Sequence, residues 1–327
     1  MVPKVSVLMS VFKEPIEWIR QSIDSVLKQS FTDFEFIIIN DCPERRDNAI
    51  VLNEYKRRDQ RVHVIHNKEN LGLTKSLNIG LSISTGEYIA RMDADDISLP
   101  NRFMNQTEFL NSNPHIDICH CAFQLIDEDG NCVGNRVLKK IEREASYLFL
   151  FDVIAHPSIM FRSRLKGLRC PLYNEQYRNA QDYELWAFLL LNGIQFGYIP
   201  EVMLLYRLSK NQITYHDKNK QTENGRAIRR YLIYNYLNQY NSAYEFQSND
   251  VSYLLSVLKN KDYCPDDKVR RLVKYLLYFS CVRYTSGKYI ILYLIDRDAL
   301  FFTLPIRCSI KVILSSFCRD RWDNLEF

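Results

Sequence analysis

The sequence lacks the glycine-rich loops with which many enzymes bind nucleotides. No G-x-G-x-x-G follows the first apolar run, and no G-x-x-x-x-G-K-[ST] occurs in the 327 residues. These absences argue against a dinucleotide-dependent dehydrogenase and against a P-loop NTPase. A phosphate-bearing ligand would therefore have to be held by a metal ion and by cationic side chains.

Long apolar runs are also missing. A spanning helix needs about 18 apolar residues without charge, and the nearest candidate, 289–317, is interrupted by Asp, Arg and Lys. The N-terminus enters a strand-like run at once and has no basic region followed by an apolar stretch and a cleavage site. We therefore expect a cytoplasmic chain without a membrane-spanning helix, and we do not expect secretion.

Disulfide and zinc frameworks are not evident. The nine cysteines are odd in number and follow no framework spacing, which suits a reducing cytoplasm. Cys119-His120-Cys121 resembles a metal cluster, but it lies in the alternating run 116–126, where only the two cysteines share a side. Because no second ligand pair follows at zinc-site spacing, we predict a strand with core or surface cysteines.

Strands and helices alternate along the first half of the chain. Apolar runs predict strands at 5–11, 34–39, 62–65 and 88–92. Apolar residues at helical spacing predict helices at 16–29 and up to 58, and a third that Thr74 caps and Gly86 ends. This order is typical of a mostly parallel sheet with helices on both faces, which binds ligands at the carboxyl ends of its strands.

Three carboxylates, Asp93, Asp95 and Asp96, directly follow the fourth predicted strand. Such a cluster costs stability unless something positive neutralises it. Mg²⁺ or Mn²⁺ takes oxygen ligands and bridges carboxylates to phosphates. Asp41 follows the second strand, at the same predicted edge. The pattern predicts a metal and phosphate site, and the alternative is a solvated acidic turn or helix cap.

A series of segments carries a family resemblance: Val5–Glu14, Phe36–Asp41, Asn70–Asn78, Gly86–Asp96, Leu99–Arg102, His156–Phe161, Gln181–Trp186 and Leu205–Arg207. Together they resemble glycosyltransferase family 2, whose catalytic domain has the GT-A fold, a Rossmann-like sheet flanked by helices. The resemblance covers about the first 210 residues. It implies an inverting, metal-dependent transfer of a sugar from a nucleotide diphosphate to an acceptor hydroxyl.

The resemblance also implies roles for the acidic residues at the strand ends. Asp93 would contact the donor ribose or the metal, and Asp95 would ligate the metal beneath the diphosphate. Asp96 would be a neighbour or a cap. Asp41 would bond the pyrimidine base, which favours a UDP donor. A turn-forming Asp before Pro43 is the structural alternative for Asp41.

Outside that edge, Asp182 resembles the general base of the family. It begins a segment with an apolar helical stripe, so an ordinary N-cap is the alternative. A helix N-terminus would keep it ionised, and a bound diphosphate would raise its pKa again. Glu14 and Lys75 are weaker nucleotide-contact candidates or solvated charges. Arg91, His156 and Arg207 are candidates for diphosphate or sugar contact, and Arg91 is as readily buried against a carboxylate.

The sequence departs from the family pattern in three places. Asn40 stands where the acidic pair usually begins, and Gln181 precedes Asp182 where Glu is common. The Q-x-x-R-W signature of processive synthases is missing, and Arg319–Trp322 is only a fragment of it out of context. We therefore expect one sugar to be added rather than a polymer.

The C-terminal part has a different composition. Between 266 and 327 there are eleven Lys and Arg against seven Asp and Glu, and this excess equals the net charge of +4. We predict a catalytic domain at 1–215 and a helical region at 216–327, with helices at 226–240, 251–258, 268–284 and 306–317. Its aromatic and basic residues suit either a core or a membrane-surface contact. No motif for nucleic acid accompanies them.

The expected function is a hexosyltransferase of surface-glycan, capsule or other polysaccharide biosynthesis. The expected partners are Mn²⁺ or Mg²⁺, a nucleotide-sugar donor and a glycan acceptor, lipid-linked if the protein works peripherally on the inner face of the plasma membrane. One alternative is a sugar-phosphate nucleotidyltransferase, which should carry a glycine-rich basic loop that Ser10–Glu14 does not provide. The other is a non-catalytic partner in a glycan-assembly complex, against which Asp93, Asp95 and Asp182 argue.

Overall fold

A computed structural model describes residues 2–138 and 153–209 and individual residues between 223 and 235. The chain divides into two units, Met1–Arg229 and Arg230–Phe327. The predicted C-terminal helices fall outside the described residues apart from isolated positions of the first, so they and the predicted domain limits stay predictions. Within the described ranges, none of the helices has the length and apolar character needed to cross a bilayer.

The described part of the first unit contains nine strands and five α-helices, which alternate from β1 to β4. The strands are β1 Val5–Val11, β2 Phe34–Asn40, β3 Val62–His66, β4 Tyr88–Asp93, β5 Ile97–Ser98, β6 Ile118–Ile126, β7 Cys132–Arg136, β8 Met160–Arg162 and β9 Phe196–Arg207. The α-helices are α1 Ile16–Leu27, α2 Arg46–Arg58, α3 Leu73–Ile83, α4 Arg102–Ser112 and α5 Gln181–Leu191. Short 3₁₀ helices lie at His156–Ser158 and Ser163–Gly167.

The first four strands form the predicted parallel sheet, in the order β3-β2-β1-β4. Both of its faces are covered. Val7, Met9 and Phe36 belong to the apolar core that also contains residues of α1, α2 and α4. On the other face, α3 lies against the sheet at Gly80, where a Cβ would stand 3.3 Å from the Leu8 side chain. Burial on both faces explains why these strands are apolar runs and not alternating patterns.

Beyond β4 the sheet is mixed, which the alternation of strands and helices did not predict. The order continues β4-β8-β6-β9-β5, with β8 antiparallel to both β4 and β6 and with β6 parallel to β9. The predicted strand around Cys119 is confirmed as β6, and Cys119 and Cys121 lie in the core. Burial raises the pKa of both thiols and lowers the pKa of His120 to about 3. These three residues are core residues.

Two helix boundaries differ from the prediction. Thr74 does not cap α3, because the helix begins at Leu73 after Gly72, whose φ of 84° is the left-handed conformation that glycine adopts readily. The helix also ends at Ile83, before Gly86. Gly86 instead allows the chain to pass very close to β1, since a Cβ there would lie 2.6 Å from a backbone nitrogen of that strand.

Candidate active site

The three predicted carboxylates meet in a turn at the carboxyl end of β4. Oxygen atoms of Asp93, Asp95 and Asp96 all lie within 4.8 Å of one another. The Ser22 hydroxyl donates to the carbonyl of Asp93 at 2.7 Å, which ties the start of the turn to α1. This acidic turn is therefore held by the fold as well as by its own residues.

Arg207, at the end of β9, forms hydrogen bonds with two residues of the acidic turn. Its backbone N–H donates to Asp96 Oδ1 at 2.8 Å, and its Nε donates to the carbonyl of Asp95 at 2.9 Å. The rest of the guanidinium donates to the carbonyls of Asp127 and Glu128 and to Gln21, and it lies 4.9 Å from the ring centre of Trp18. With 1 % of its surface exposed, Arg207 positions the turn and does not present its charge to a sugar, contrary to one expectation from the sequence.

Burial raises the pKa of two carboxyl groups in the acidic turn, those of Asp95 and Asp96. Desolvation, followed by the charges of Asp93 and Glu14, raises the pKa of Asp95 to about 7. Desolvation and the charges of Asp95 and Asp93 raise the pKa of Asp96 well above its ordinary value. Asp96 Oδ2 is buried without a hydrogen-bond partner among the described residues. Carboxylate oxygens that repel one another, one of them without a hydrogen-bond partner, are suitable ligands for a hard divalent cation.

Arg91, in β4, forms an ion pair with Asp93 of the acidic turn, through Nη1 and Oδ1. The side chain of Arg91 is 3 % exposed and that of Asp93 is 30 % exposed. Arg91 is thus buried against a carboxylate, one of the two roles that its sequence position allowed. Asp93 keeps a face toward solvent, where a ligand can reach it.

Asp41 lies at the end of β2, as predicted, and organises the loop that leads into α3. Its Oδ1 accepts hydrogen bonds from Asn67 Nδ2 at 2.7 Å and from the N–H of Leu71 at 2.8 Å. Its Oδ2 accepts from the N–H of Gly72 at 2.8 Å. Asp41 is 2 % exposed, so most of its acceptor capacity serves this loop. The structural alternative of an Asx turn before Pro43 is replaced by these longer-range bonds.

The two other predicted nucleotide contacts have different surroundings. Glu14 is partly buried, and its Oε2 accepts from the N–H of Phe12 at 2.7 Å. Burial raises the pKa of Glu14, and the charge of Asp93 adds to the effect, so Glu14 belongs to the same acidic edge. Lys75 is exposed in the first turn of α3, next to the loop held by Asp41.

Asp182 lies in the first turn of α5 and is not the N-cap. The cap is Ala180, which has a left-handed φ of 86°, unusual for a residue with a side chain. Burial raises the pKa of Asp182 above its ordinary value, although backbone N–H groups of the helix start lower it. The charge of Arg91 lowers and the charge of Asp93 raises the pKa of Asp182, so electrostatics connects this carboxylate to the acidic turn.

A buried tyrosine and histidine near Asp182 were not predicted as a pair. The Tyr173 hydroxyl and His156 Nε2 are 2.7 Å apart, and Asn78 bonds both the N–H and the carbonyl of Tyr173. The ring of His156 also packs edge-on against Trp186, with centroids 5.9 Å apart. Burial and the charge of Arg91 lower the pKa of His156 well below its ordinary value, so this ring is neutral. The segment containing His156 was recognisable in the sequence, but no local pattern marks a partner 17 residues away.

Comparison with known proteins decides the family. The pattern of glycosyl transferase family 2 matches residues 6–168. An uncharacterized glycosyltransferase of Haemophilus influenzae is 30% identical over 296 residues, which are 86% of this chain and 88% of the relative. The chain belongs to glycosyltransferase family 2. The O-antigen biosynthesis glycosyltransferase WbnJ of Escherichia coli is 30% identical over 219 residues, 66% of this chain and 82% of the relative.

The fold of this family 2 glycosyltransferase has solved counterparts. The structure of S. aureus TarS 1-349 in complex with UDP-GlcNAc superimposes with a TM-score of 0.58 and covers 96% of this chain and 89% of that chain. At 15% sequence identity this likeness concerns the fold. The predicted GT-A class, an α/β sheet flanked by helices, is confirmed.

Two of the residues that depart from the family pattern, Asn40 and Gln181, are buried in this glycosyltransferase. Asn40 is buried, its Nδ2 lies 3.1 Å from His66 Nδ1, and its Oδ1 accepts from the N–H of Cys42 at 3.3 Å. An amide can donate and accept at once, which a carboxylate cannot do. Gln181 is the first residue of α5 and is 7 % exposed.

Proposed function

We propose that this glycosyltransferase is an inverting, metal-dependent hexosyltransferase that moves one sugar from a UDP-sugar to an acceptor hydroxyl. The observation that carries the proposal is the cluster of three carboxylates in the acidic turn at the carboxyl end of β4, together with Asp182, a partly buried carboxylate whose pKa is raised and responds to the charge of Asp93. A site of this kind combines a proton acceptor with a place for a diphosphate. The UDP-GlcNAc complex of the structurally similar TarS supports a UDP-sugar as the donor.

The acidic turn fits the metal that the proposal requires. Asp95 and Asp93 would hold a Mn²⁺ or Mg²⁺ ion, with the buried Oδ2 of Asp96 directly behind them. An ion bound there would supply Lewis-acid stabilisation of the departing diphosphate. The chain's own part is to gather the carboxylates: Ser22 and Arg207 donate to the carbonyls of Asp93 and Asp95, and the Arg207 N–H donates to the carboxylate of Asp96.

Asp182 is the proposed base. It takes the proton from the acceptor hydroxyl, whose oxygen then attacks the anomeric carbon from the face opposite the leaving diphosphate, and the configuration is inverted. A base works best when its pKa lies near the pH at which the enzyme operates. Burial raises the pKa of Asp182 in that direction, and the positive charge of Arg91 opposes the rise.

The nucleotide would lie along the edge formed by the ends of β1, β2 and β4. Asp41 holds the loop before α3. Its Oδ2 accepts a single hydrogen bond from the described residues, so this oxygen has capacity to accept another from the N–H of a uracil ring. Lys75 is exposed beside that loop and would meet a phosphate, and Glu14 would border the ribose. Asp93 would contact the ribose through its exposed face.

The proposed setting is the synthesis of a polysaccharide such as a capsule or O-antigen, at the inner face of the plasma membrane. The relative named for O-antigen biosynthesis supports this setting. A lipid-linked acceptor and peripheral contact through the basic C-terminal region complete the proposal.

Screening nucleotide sugars for binding in the presence of Mn²⁺ tests class and donor together. We expect a UDP-sugar to bind and to be hydrolysed slowly, in a metal-dependent reaction, when no acceptor is present. Asp95→Ala should abolish this hydrolysis, whereas Asp182→Asn should bind the donor and lose turnover. Asp47→Asn, an exposed carboxylate at the start of α2, should change neither property.

Other outcomes of the same screen would contradict the proposal. If no nucleotide sugar binds with Mn²⁺ present, the chain is not a glycosyltransferase of this mechanism. Release of pyrophosphate from a nucleoside triphosphate and a sugar phosphate would indicate a nucleotidyltransferase. Binding without turnover under any condition would indicate a non-catalytic partner.

A further inference from the structure

The connection between β8 and α5 lies along α3. Hydrogen bonds join the two from the end of the helix to its first turn. They run from Lys166 Nζ to the carbonyl of Ser84 at 2.8 Å, from Asn78 Nδ2 to the carbonyl of Tyr173 at 2.9 Å, and from Thr74 Oγ1 to the carbonyl of Tyr177 at 3.2 Å. The connection therefore runs antiparallel to α3 and is held by it before the chain enters α5.

Asn78, in the middle of α3, holds both polar groups of one residue of this connection. The N–H of Tyr173 donates to Asn78 Oδ1 at 3.0 Å, and Asn78 Nδ2 donates to the carbonyl of Tyr173 at 2.9 Å. Only a side chain that donates and accepts at once can form this pair of bonds. Tyr173 is 1 % exposed, and its hydroxyl lies 2.7 Å from His156 Nε2, so this residue is fixed at its main chain and at its tip.

A series of hydrogen bonds continues from Tyr173 to the helix that carries the proposed base. Leu172, the preceding residue, accepts at its carbonyl from Arg169 Nε at 3.0 Å. The same guanidinium donates to both carboxylate oxygens of Glu184, at 2.6 and 2.8 Å. Glu184 lies with Asp182 in the first turn of α5. The position of this turn therefore depends on the segment that Asn78 holds.

The beginning of α3 is fixed at the proposed nucleotide site. The N–H of Gly72 donates to Asp41 Oδ2 at 2.8 Å, and the N–H of Ser76 donates to the carbonyl of Gly72 at 3.1 Å. Asn78 follows in the same helix. One helix thus contacts the carboxylate proposed for the base of the nucleotide and, through Asn78, the segment leading to Asp182.

We propose that Asn78 is a positioning residue that sets the place of Asp182 relative to the bound donor. This inference rests on the function proposed above and adds a residue to it. Inverting transfer needs the base, the attacking oxygen and the anomeric carbon in one arrangement, and a displacement of about 1 Å can lower the rate about a hundredfold. Asn78 acts through Tyr173, so its loss should lower kcat and leave the affinity for the donor unchanged.

The test compares Asn78→Ala with the unaltered protein in the hydrolysis of a UDP-sugar, in which water replaces the acceptor. UDP-glucose, UDP-galactose and UDP-GlcNAc are the probes, each with Mn²⁺, and released UDP is measured at a temperature at which circular dichroism shows every variant folded. With the probe that the unaltered protein hydrolyses fastest, we expect kcat to fall by about 10- to 100-fold and KM to stay within about twofold.

Further variants separate positioning from a general loss of stability. Asn105→Ala is the matched control, because this partly buried asparagine of α4 also bonds another segment, through Glu201 at 3.1 Å, and it should keep the kcat of the unaltered protein. Asn78→Gln keeps an amide and should recover part of kcat. Glu184→Gln weakens the same series at its other end, so the double variant with Asn78→Ala should have a kcat close to that of the slower single variant.

The other outcomes overturn the inference. If folded Asn78→Ala has the kcat of the unaltered protein, or if it loses affinity for the UDP-sugar and keeps kcat, Asn78 does not position the base. If the effects of Asn78→Ala and Glu184→Gln on kcat multiply, the two residues act independently and the inference is wrong. In these cases the proposed glycosyl transfer stands. If the unaltered protein hydrolyses none of the probes, both the proposed function and the inference fail.

Discussion

Replacing Asp41 by Asn tests whether this carboxylate organises the loop before α3. The substituted side chain keeps one acceptor oxygen, which retains the bonds from Asn67 and Leu71, but its amide nitrogen faces the N–H of Gly72, which donates to Oδ2 of the carboxylate at 2.8 Å. One charge-assisted bond is lost, two donors oppose each other, and the remaining two bonds lose their ionic character. Because Gly72 is only partly buried, we expect the free energy of unfolding to fall by about 2–3 kcal/mol.

Urea denaturation followed by circular dichroism measures this change, and Asp33→Asn is the matched control because that carboxylate is exposed in the loop before β2. An Asp41→Asn variant as stable as the control would refute the structural reasoning. If stability is unchanged and UDP binding is lost, Asp41 contacts the base without holding the loop. If both fall together, the loop positioned by Asp41 is the base site.

Three further predictions concern close packing, pH and the support of α5. Gly86→Ala places a Cβ 2.6 Å from a backbone nitrogen of β1 and should cost about 2 kcal/mol or more in thermal denaturation, whereas Gly167→Ala, with nothing within 4 Å, should not. Because the pKa of Asp95 is raised to about 7 in the metal-free site, protons compete with the metal below that pH, and the affinity for Mn²⁺ should fall from pH 8 to pH 6; a constant affinity would contradict this assignment. Glu184→Gln removes the negative charge and leaves one acceptor oxygen for the two Arg169 donors, which lie 2.6 and 2.8 Å from the carboxylate oxygens; the free energy of unfolding in urea should fall by about 2 kcal/mol, and an unchanged midpoint would show that the ion pair is dispensable.

The parallel half of the fold was predictable because its signals are local. Strands buried on both faces are continuous apolar runs, and the carboxyl ends of parallel strands meet at one edge of a sheet, so the sequence predicts Asp41 and Asp95 at the same edge. The antiparallel insertion of β8 between β4 and β6 was not predictable in this way. Its three residues, Met160–Arg162, carry no turn or period that distinguishes them from a loop.

The electrostatic properties of the site were not predictable from the sequence either. A carboxylate at the start of a helix suggests a low pKa, but Asp182 has a raised one because the surrounding chain buries it. Arg207, in a segment that resembles the family, is a candidate for diphosphate or sugar contact from the sequence, yet its side-chain donors serve the main chain and Gln21. Burial and long-range pairing depend on the complete tertiary structure, which no local pattern encodes.

The bonds of Arg207 link the active site to a surface hairpin. One side chain joins the acidic turn to the carbonyls of Asp127 and Glu128, which lie in the connection between β6 and β7. Mutations in that exposed connection can therefore alter the carboxylates of the acidic turn without touching them. Substitutions there would change the reaction through residues that contact neither substrate. The connection between β6 and β7 is therefore a suitable starting point for directed evolution of this glycosyltransferase.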